Sequence, residues 1–152
     1  MRVLTIAGRR IADDEPCYVI AEIGGNHGGD VGVAGDLARE AERCGAAAVK
    51  FQKRDNATLY SADILAAAYE NENSFGPTYG EHRAALELNA GQLLWAAGCG
   101  ALKRIPWFAT PFDEKSADEL ADHGVPAFKI HSGGLTDLPL IRHVAAFGKP
   151  VL

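Results

Sequence analysis

Residues 124–134 read Gly124-Val125-Pro126-Ala127-Phe128-Lys129-Ile130-His131-Ser132-Gly133-Gly134. The apolar run that opens this stretch predicts a buried strand, and the glycines that close it predict a turn. Because side chains alternate along a strand, Ala127, Lys129 and His131 are expected to share one face. An ammonium group at the end of an apolar strand either meets a partner or reaches solvent along its aliphatic stem. The stretch by itself leaves both alternatives open for Lys129.

The same arrangement, an apolar run that ends in polar side chains, occurs three times upstream. The polar positions are Glu22 in residues 18–25, Lys50 and Gln52 in residues 46–52, and Thr110 and Asp113 in residues 107–113. Proteins of the α/β class build their sites at the carboxyl ends of strands. The four runs therefore predict one site at one edge of a sheet.

Helical patterns separate these runs. The predicted helices span residues 31–44, 81–88, 90–104, 113–122 and 138–147, and a β-hairpin is predicted at residues 2–12. Alternating strands and helices predict a parallel sheet, either a closed barrel or an open doubly wound sheet. The hairpin could plug the bottom of a barrel, and no GxGxxG or GxxxxGK[ST] motif supports the open sheet. We therefore expect a (β/α)8 TIM barrel, of which the chain supplies about the first four βα units plus the hairpin.

Two segments carry more specific predictions. In the first helix, a stripe formed by Val33, Leu37, Ala41 and Cys44 is predicted to face the core. Residues 53–80 contain one weak helical piece, near residues 62–69, and combine amides with aromatic side chains. A segment of this length and composition is typical of a lid over a polar ligand.

Composition excludes several classes of protein. The chain has 152 residues and a net charge of −5 without a basic cluster, which argues against a general nucleic-acid binder. Its three cysteines are widely spaced, which predicts neither a zinc knuckle nor a disulfide framework and favours reduced thiols in the cytoplasm. No apolar run approaches the ~18 residues that span a bilayer. The final residues, 148–152, resemble the start of another strand, so we expect the chain to be the N-terminal part of a longer barrel.

The polar side chains at the strand ends are expected to converge. They are Glu22, Lys50, Gln52, Thr110, Lys129, His131 and Ser132. Two lysines with hydroxyl groups predict a receptor for a phosphate or a carboxylate, and a glutamate could hold sugar hydroxyls or move a proton. Each residue taken singly also fits an ordinary polar strand end, but a structural core does not need two inward-facing lysines.

The motifs at these positions resemble those of a known family. They are Ala21-Glu22-Ile23-Gly24 with Asn26-His27, Val49-Lys50-Phe51-Gln52, Thr78-Tyr79-Gly80-Glu81-His82, Thr110-Pro111-Phe112-Asp113, Phe128-Lys129-Ile130 with Ser132-Gly133, and Gly148-Lys149-Pro150-Val151. Together they resemble the N-acetylneuraminate synthase (sialic acid synthase) family, barrel enzymes that condense phosphoenolpyruvate with an N-acetylated sugar aldehyde.

The resemblance implies a role for each matching residue. Phosphoenolpyruvate would be bound by Lys50, Thr110, Lys129 and Ser132. The acceptor sugar, such as N-acetylmannosamine, would be held by Glu22 and by Asn73 of the long segment, with Gln52 between the two substrates and Phe112 as a wall. Glu22, Lys50 and Lys129 are the predicted catalytic residues.

The resemblance also implies partners outside this chain. A divalent metal, Mn²⁺ or Mg²⁺, would polarise the aldehyde, but the ligand histidines of the family lie beyond Leu152, so no metal ligand is assigned here. The family adds an antifreeze-like domain and forms homodimers. We therefore expect residues 1–152 alone to be catalytically inactive.

Two positions depart from the family pattern. The turn after Ser132-Gly133 usually carries an acidic residue, where this chain has Gly134, and His131 replaces a residue that is often small. Either departure could alter the acceptor pocket. Synthases of legionaminic or pseudaminic acid share the same motifs, so the acceptor stays open. The alternatives are another barrel aldolase or lyase with a Schiff base on Lys50 or Lys129, and a domain that binds anions without catalysis.

Overall fold

A computed structural model describes residues 3–98 and 105–152. It begins with the predicted hairpin, in which β1 (Leu4–Ile6) pairs antiparallel with β2 (Arg9–Ile11). Ile6 is fully buried in the hydrophobic core. The hairpin is therefore packed into the domain rather than extended from it.

The centre of the fold is a parallel sheet whose strands follow chain order. It contains β3 (Ile20–Gly24), β4 (Ala48–Lys53) and β5 (Trp107–Pro111), with β4 in the middle. Single parallel bridges extend it from Ala109 to Phe128 and from Phe128 to Val151. The predicted fourth strand thus lies where expected but pairs over a short length, in part because Pro126 has no N–H to donate. The described residues form a partial, open parallel sheet, and closure into a barrel stays a prediction for the longer protein.

Seven α-helices lie in the described residues. They are α1 (Val31–Arg43), α2 (Asn56–Leu59), α3 (Ala62–Ala66), α4 (Tyr79–Leu86), α5 (Ala90–Gly98), α6 (Glu114–Asp122) and α7 (Leu138–Ala146). Aspartates cap α1, α6 and α7, and Thr78 forms a capping box with Glu81 on α4. The end of the predicted helix 90–104 lies outside the described residues. No helix in the described part of the chain is long and apolar enough to span a membrane.

The buried face of α1 matches the predicted stripe only in part. Leu37 and Ala41 are partly buried against the core, but Val33 is 43% exposed, Cys44 is exposed, and the fully buried residues are Ala34, Gly35 and Ala38. The fully buried positions face α5, where a Cβ on Gly35 would lie 3.6 Å from the carbonyl oxygen of Ala96, an ordinary contact distance. The contact with α5 thus adds small residues to the buried face.

The two faces of the sheet have different partners. On one face, Phe51 packs edge-on against Trp107 at 6.3 Å, and Phe128 stacks at 5.3 Å on Phe147, which caps the end of α7. Alternation along the strands then directs their neighbours to the opposite face. Those neighbours include Lys50, Gln52, Thr110 and Lys129. The two predicted anion-binding lysines therefore lie on one face, as the sequence predicted.

Candidate active site at the strand ends

Lys50 joins the three strands of the sheet. Its side chain is 11% exposed, its Nζ donates to Oγ1 of Thr110 at 3.2 Å, and it forms an ion pair with Glu22. Glu22 lies opposite Lys50 in the register, beside an irregularity between Glu22 and Gly24 that interrupts the ladder. Such irregularities re-aim side chains at sheet edges. A largely buried ammonium group needs partners of this kind. The arrangement excludes the alternative in which the Lys50 side chain only reaches out to solvent.

Gln52 is held by a residue that the sequence analysis did not identify. The guanidinium of Arg54 donates to Oε1 of Gln52 and, at 3.3 Å, to Oε1 of Glu87. The backbone N–H of Arg54 also donates to Oε2 of Glu87 at 3.1 Å. The Arg54 side chain is 11% exposed. Its position two residues after the predicted strand 46–52 was the available signal, but the partner 33 residues away could not be read from the sequence.

Glu87 lies in a charged cluster behind the site. Lys53 approaches it to 3.9 Å and approaches Glu119 to 3.5 Å, while its Nζ donates to the carbonyl oxygen of Arg54 at 2.8 Å. Burial raises the pKa of Glu87, although both Arg54 and Lys53 act in the opposite direction. The cluster fixes the backbone where β4 ends.

Phe112 forms the centre of a stacked column. The guanidinium carbon of Arg54 lies 3.8 Å from the centre of its ring, and the ring of His131 lies 4.4 Å away at an angle of 20°. Burial lowers the pKa of His131, and the charges of Lys129 and Arg54 lower it further. Phe112 is half-buried between Arg54 and His131, and its role as a wall of the pocket stays a prediction.

Ser132 begins a 3-10 turn that covers Ser132–Gly134. Its side chain is exposed at the strand end. His131 folds back over this turn, so that a Cβ on Gly134 would lie 2.7 Å from Nε2 of His131. The two departures from the family pattern are therefore in contact.

The loop after β3 is shaped by its own hydrogen bonds. Asn26 donates through Nδ2 to the carbonyl oxygen of Ile23 at 2.8 Å, and Nδ1 of the buried His27 accepts from the N–H of Gly29 at 3.0 Å. Burial lowers the pKa of His27. Asn26 and His27 thus have a structural role in the described part of the chain.

The long segment 53–80 is more ordered than a loop. It contains α2 and α3 and a bridge between Ala68 and Thr78. Phe75 reaches the loop after β3, where a Cβ on Gly28 would lie 3.6 Å from its ring. The side chain of Asn73 is exposed, and its N–H bonds to Oδ1 of Asn71 at 2.9 Å. The segment therefore lies beside the site, while the sugar contact of Asn73 stays a prediction.

A cleft of about 270 Å³ adjoins the column on the side of α2 and α7. It is lined by Thr58, Leu59, Phe112, Asp113, Glu114, Asp137 and Leu140. The carboxylate of Asp113 accepts from the N–H and the hydroxyl of Ser116 and from the N–H of Asp55, all within 2.8 Å. Within the described part of the chain, the lining residues include the carboxylates of Asp113, Glu114 and Asp137 and no lysine or arginine, so the cleft does not suit an anion.

The described residues offer no obvious metal centre. Within residues 3–98 and 105–152, no group of three or more His, Cys, Asp or Glu side chains is arranged to hold a metal ion. No chemical step is therefore assigned to a metal here.

Comparison with known proteins relates the chain to one family of synthases. The model of the NeuB family matches residues 37–152. The chain is 35% identical over 145 residues to N-acetylneuraminate-9-phosphate synthase of Mus musculus, covering 95% of this chain and 40% of that protein. It is 36% identical over 137 residues to N,N'-diacetyllegionaminic acid synthase of Legionella pneumophila, covering 90% of this chain and 38% of that protein.

A solved structure supports the same relationship. The N-acetylneuraminic acid synthetase of Leptospira borgpetersenii, crystallised with citrate, superposes with a TM-score of 0.79 at 28% identity. The match covers 99% of this chain and 48% of that one. The chain thus spans about two fifths of the length of these curated relatives and about half of the crystallised one.

Proposed function

The chain belongs to the NeuB family, and we propose that the complete protein condenses phosphoenolpyruvate with an N-acetylated amino sugar to give a nonulosonic acid and phosphate. The observation that carries the proposal is the buried Lys50, which is bound to Thr110 and paired with Glu22 on the face of the sheet opposite to Phe51 and Trp107. Lys129 shares this face. Two cations beside hydroxyl groups suit a substrate with a phosphate and a carboxylate.

In this proposal, Lys50, Thr110, Lys129 and Ser132 bind the phosphate and the carboxylate of phosphoenolpyruvate. Glu22 accepts hydrogen bonds from sugar hydroxyls, Gln52 lies between the substrates, and Phe112 limits the pocket. The enol carbon attacks the aldehyde carbon, water adds to the resulting cation, and the bridging oxygen leaves with phosphate. The keto oxygen of the product therefore comes from water.

The acceptor sugar is proposed as a class. The matching relatives include a synthase of N-acetylneuraminate 9-phosphate and a synthase of N,N'-diacetyllegionaminic acid at nearly equal identity. Three carbons are added at C1 of the sugar, so a 9-phosphate in the product requires a 6-phosphate in the acceptor. The acceptors to compare are N-acetylmannosamine, its 6-phosphate and a diacetylated diamino sugar.

The test is turnover by the complete gene product. Phosphoenolpyruvate labelled with ¹⁸O at the bridging position is supplied with each acceptor and with Mn²⁺ or Mg²⁺, because the resemblance implies a divalent metal. We expect phosphate release that depends on one acceptor and carries the label. Lys50→Met should lower kcat/KM by about a thousandfold, a loss of about 4 kcal/mol. The matched control is Lys115→Met, at a lysine that is 71% exposed.

Two results would contradict the proposal. Borohydride trapping of a keto acid on Lys50 or Lys129 would indicate a Schiff-base aldolase. Binding of phosphoenolpyruvate without turnover of any acceptor would indicate an anion-binding protein.

A further inference from the structure

Arg54 is placed to act on Gln52 rather than on a substrate. Its side chain is 11% exposed, one face of its guanidinium is covered by Phe112, and Glu87 accepts both from its guanidinium and from its backbone N–H. A guanidinium covered on one face by Phe112 and bound through Nη1 by Glu87 has little rotational freedom left. Its Nη2 group donates to Gln52.

The chemistry of this contact fixes which way the amide of Gln52 points. A guanidinium only donates hydrogen bonds, whereas an amide both donates through its nitrogen and accepts through its oxygen. Gln52 must therefore turn Oε1 toward Arg54, and its Nε2 is directed away from Arg54. An amide without such a partner could adopt either orientation.

The free amide nitrogen lies near the predicted sugar site. A Cβ built on Gly24 would lie 3.4 Å from Nε2 of Gln52 and 3.1 Å from Oε1 of Glu22, so both groups border the same point at the end of β3. One of them donates and the other accepts. This is the pair of complementary groups that a hydroxylated, N-acetylated ligand requires.

We propose that Arg54, held by Glu87 and stacked on Phe112, is a positioning residue that orients the amide of Gln52 so that its NH₂ group donates to an oxygen of the acceptor sugar. This inference rests on the proposed function for the identity of the ligand. The contact between Arg54 and Gln52 is independent of the proposed function. Arg54 itself does not contact substrate.

The experiment compares Arg54→Gln with the wild type in the complete gene product. A glutamine at position 54 can donate or accept, so it no longer selects one orientation of Gln52. We expect KM for the acceptor sugar to rise about tenfold and KM for phosphoenolpyruvate to change less than about twofold, the tenfold change corresponding to about 1.4 kcal/mol. The matched control is Arg83→Gln, because Arg83 also stacks on an aromatic ring and donates to a side chain, that of Tyr79, away from Gln52.

A double-mutant cycle separates positioning from general support. In a Gln52→Ala background, Arg54→Gln should have no further effect on KM for the acceptor. An equal effect in both backgrounds, or an equal rise of both KM values, would overturn the proposal. Either result would mean that Arg54 supports the fold.

A second measurement does not depend on turnover. The side-chain NH₂ signals of Gln52, identified in ¹⁵N–¹H spectra by their loss in Gln52→Glu, should shift in Arg54→Gln and stay in place in Arg83→Gln. Unchanged signals in Arg54→Gln would refute the positioning contact. A shift in an enzyme that turns over no acceptor would support the contact and instead reject the proposed function.

Discussion

A Cβ on Gly134 would lie 2.7 Å from Nε2 and 3.0 Å from Cδ2 of His131. The imidazole therefore occupies the space into which a side chain at position 134 would begin. Positions 131 and 134 are the two places where the chain departs from the family pattern, and their contact makes the departures one coupled change. A side chain at position 134 and the present placement of His131 exclude each other.

Gly134→Ala should displace His131 from its stack on Phe112 and lower the free energy of unfolding by about 1 kcal/mol, since overpacking usually costs about 1–3 kcal/mol and a side chain can partly yield. Gly134 has no left-handed φ, so backbone strain does not contribute. Chemical denaturation of the complete gene product measures the effect. In a His131→Ala background the same substitution should be close to neutral. Equal costs in both backgrounds would show that the two residues are uncoupled.

The imidazole of His131 should report the charge of Lys129. Its pKa is lowered first by burial and then by Lys129 and Arg54, while Asp137 raises it. Lys129→Gln should therefore raise the pKa of His131, and Asp137→Asn should lower it further. An NMR titration of the imidazole protons measures both. The control is Lys115→Gln, at an exposed lysine. If Lys129→Gln leaves the pKa of His131 unchanged, the ammonium group of Lys129 lies away from His131.

The same shift predicts how stability depends on pH. The folded-state pKa of His131 lies below its unfolded value of about 6.5, so the unfolded chain binds a proton first as the pH falls. The contribution of His131 to stability is complete above pH ~6.5 and decreases below it, until the folded form is also protonated. His131→Ala should reduce this slope in unfolding experiments between pH 7 and pH 5. If the free energy of unfolding depends on pH in the same way in His131→Ala, His131 is not the source of this pH dependence.

Gly29 should tolerate no side chain. A Cβ there would lie 1.9 Å from the carbonyl oxygen of Ala85, and its φ is +84°. Gly45 has a φ of +86° with nothing within 4 Å of the same position, which makes Gly45→Ala a matched control for backbone strain alone. We expect Gly29→Ala to cost at least about 2 kcal/mol more than Gly45→Ala, measured by thermal unfolding, because the loop after β3 must separate from α4. If Gly29→Ala and Gly45→Ala destabilise the protein equally, the loop after β3 can move to accommodate the added methyl group.

Asp55 should lose its stabilising ion pair in acid. The hydrogen bond from Lys115, followed by that from Thr58, lowers the pKa of Asp55 from 3.8 to about 2. The contribution is present above pH ~4 and is lost as the pH falls toward 2. Lys115→Met should return the pKa of Asp55 toward 3.8 in a carboxyl ¹³C titration. The effect on stability at pH 7 should stay below about 1 kcal/mol, because Lys115 is exposed and solvent screens the pair.

The sequence indicated much of the fold because its patterns are local. A polar residue that ends an apolar run marked Glu22, Lys50, Thr110 and Lys129, and the strand register does bring these positions to one edge and one face. Capping aspartates fixed the starts of α1, α6 and α7 within a residue or two of the prediction. The match to the NeuB family confirms the resemblance that these motifs suggested.

What failed or was missed depends on distant contacts. Leu37 and Ala41 of the predicted α1 stripe do pack on the core, but the prediction missed Ala34, Gly35 and Ala38, which are buried at the contact with α5. Arg54 acquires a role only through Glu87, which lies on a different element. Periodicity along one segment contains no information about which second segment will pack on it.

By itself, the sequence determined which residues end the strands, which faces they share and which family the chain belongs to, because side-chain alternation and short motifs are properties of a single segment. The tertiary structure alone decided that Lys50 is bound by Thr110 and Glu22, that Arg54 donates to Gln52, and that His131 fills the space beside Gly134. Each of these contacts has an angle and a distance of approach that only packing sets. Hydrogen bonds and excluded volume act over a few ångströms, and only the folded chain brings these atoms that close.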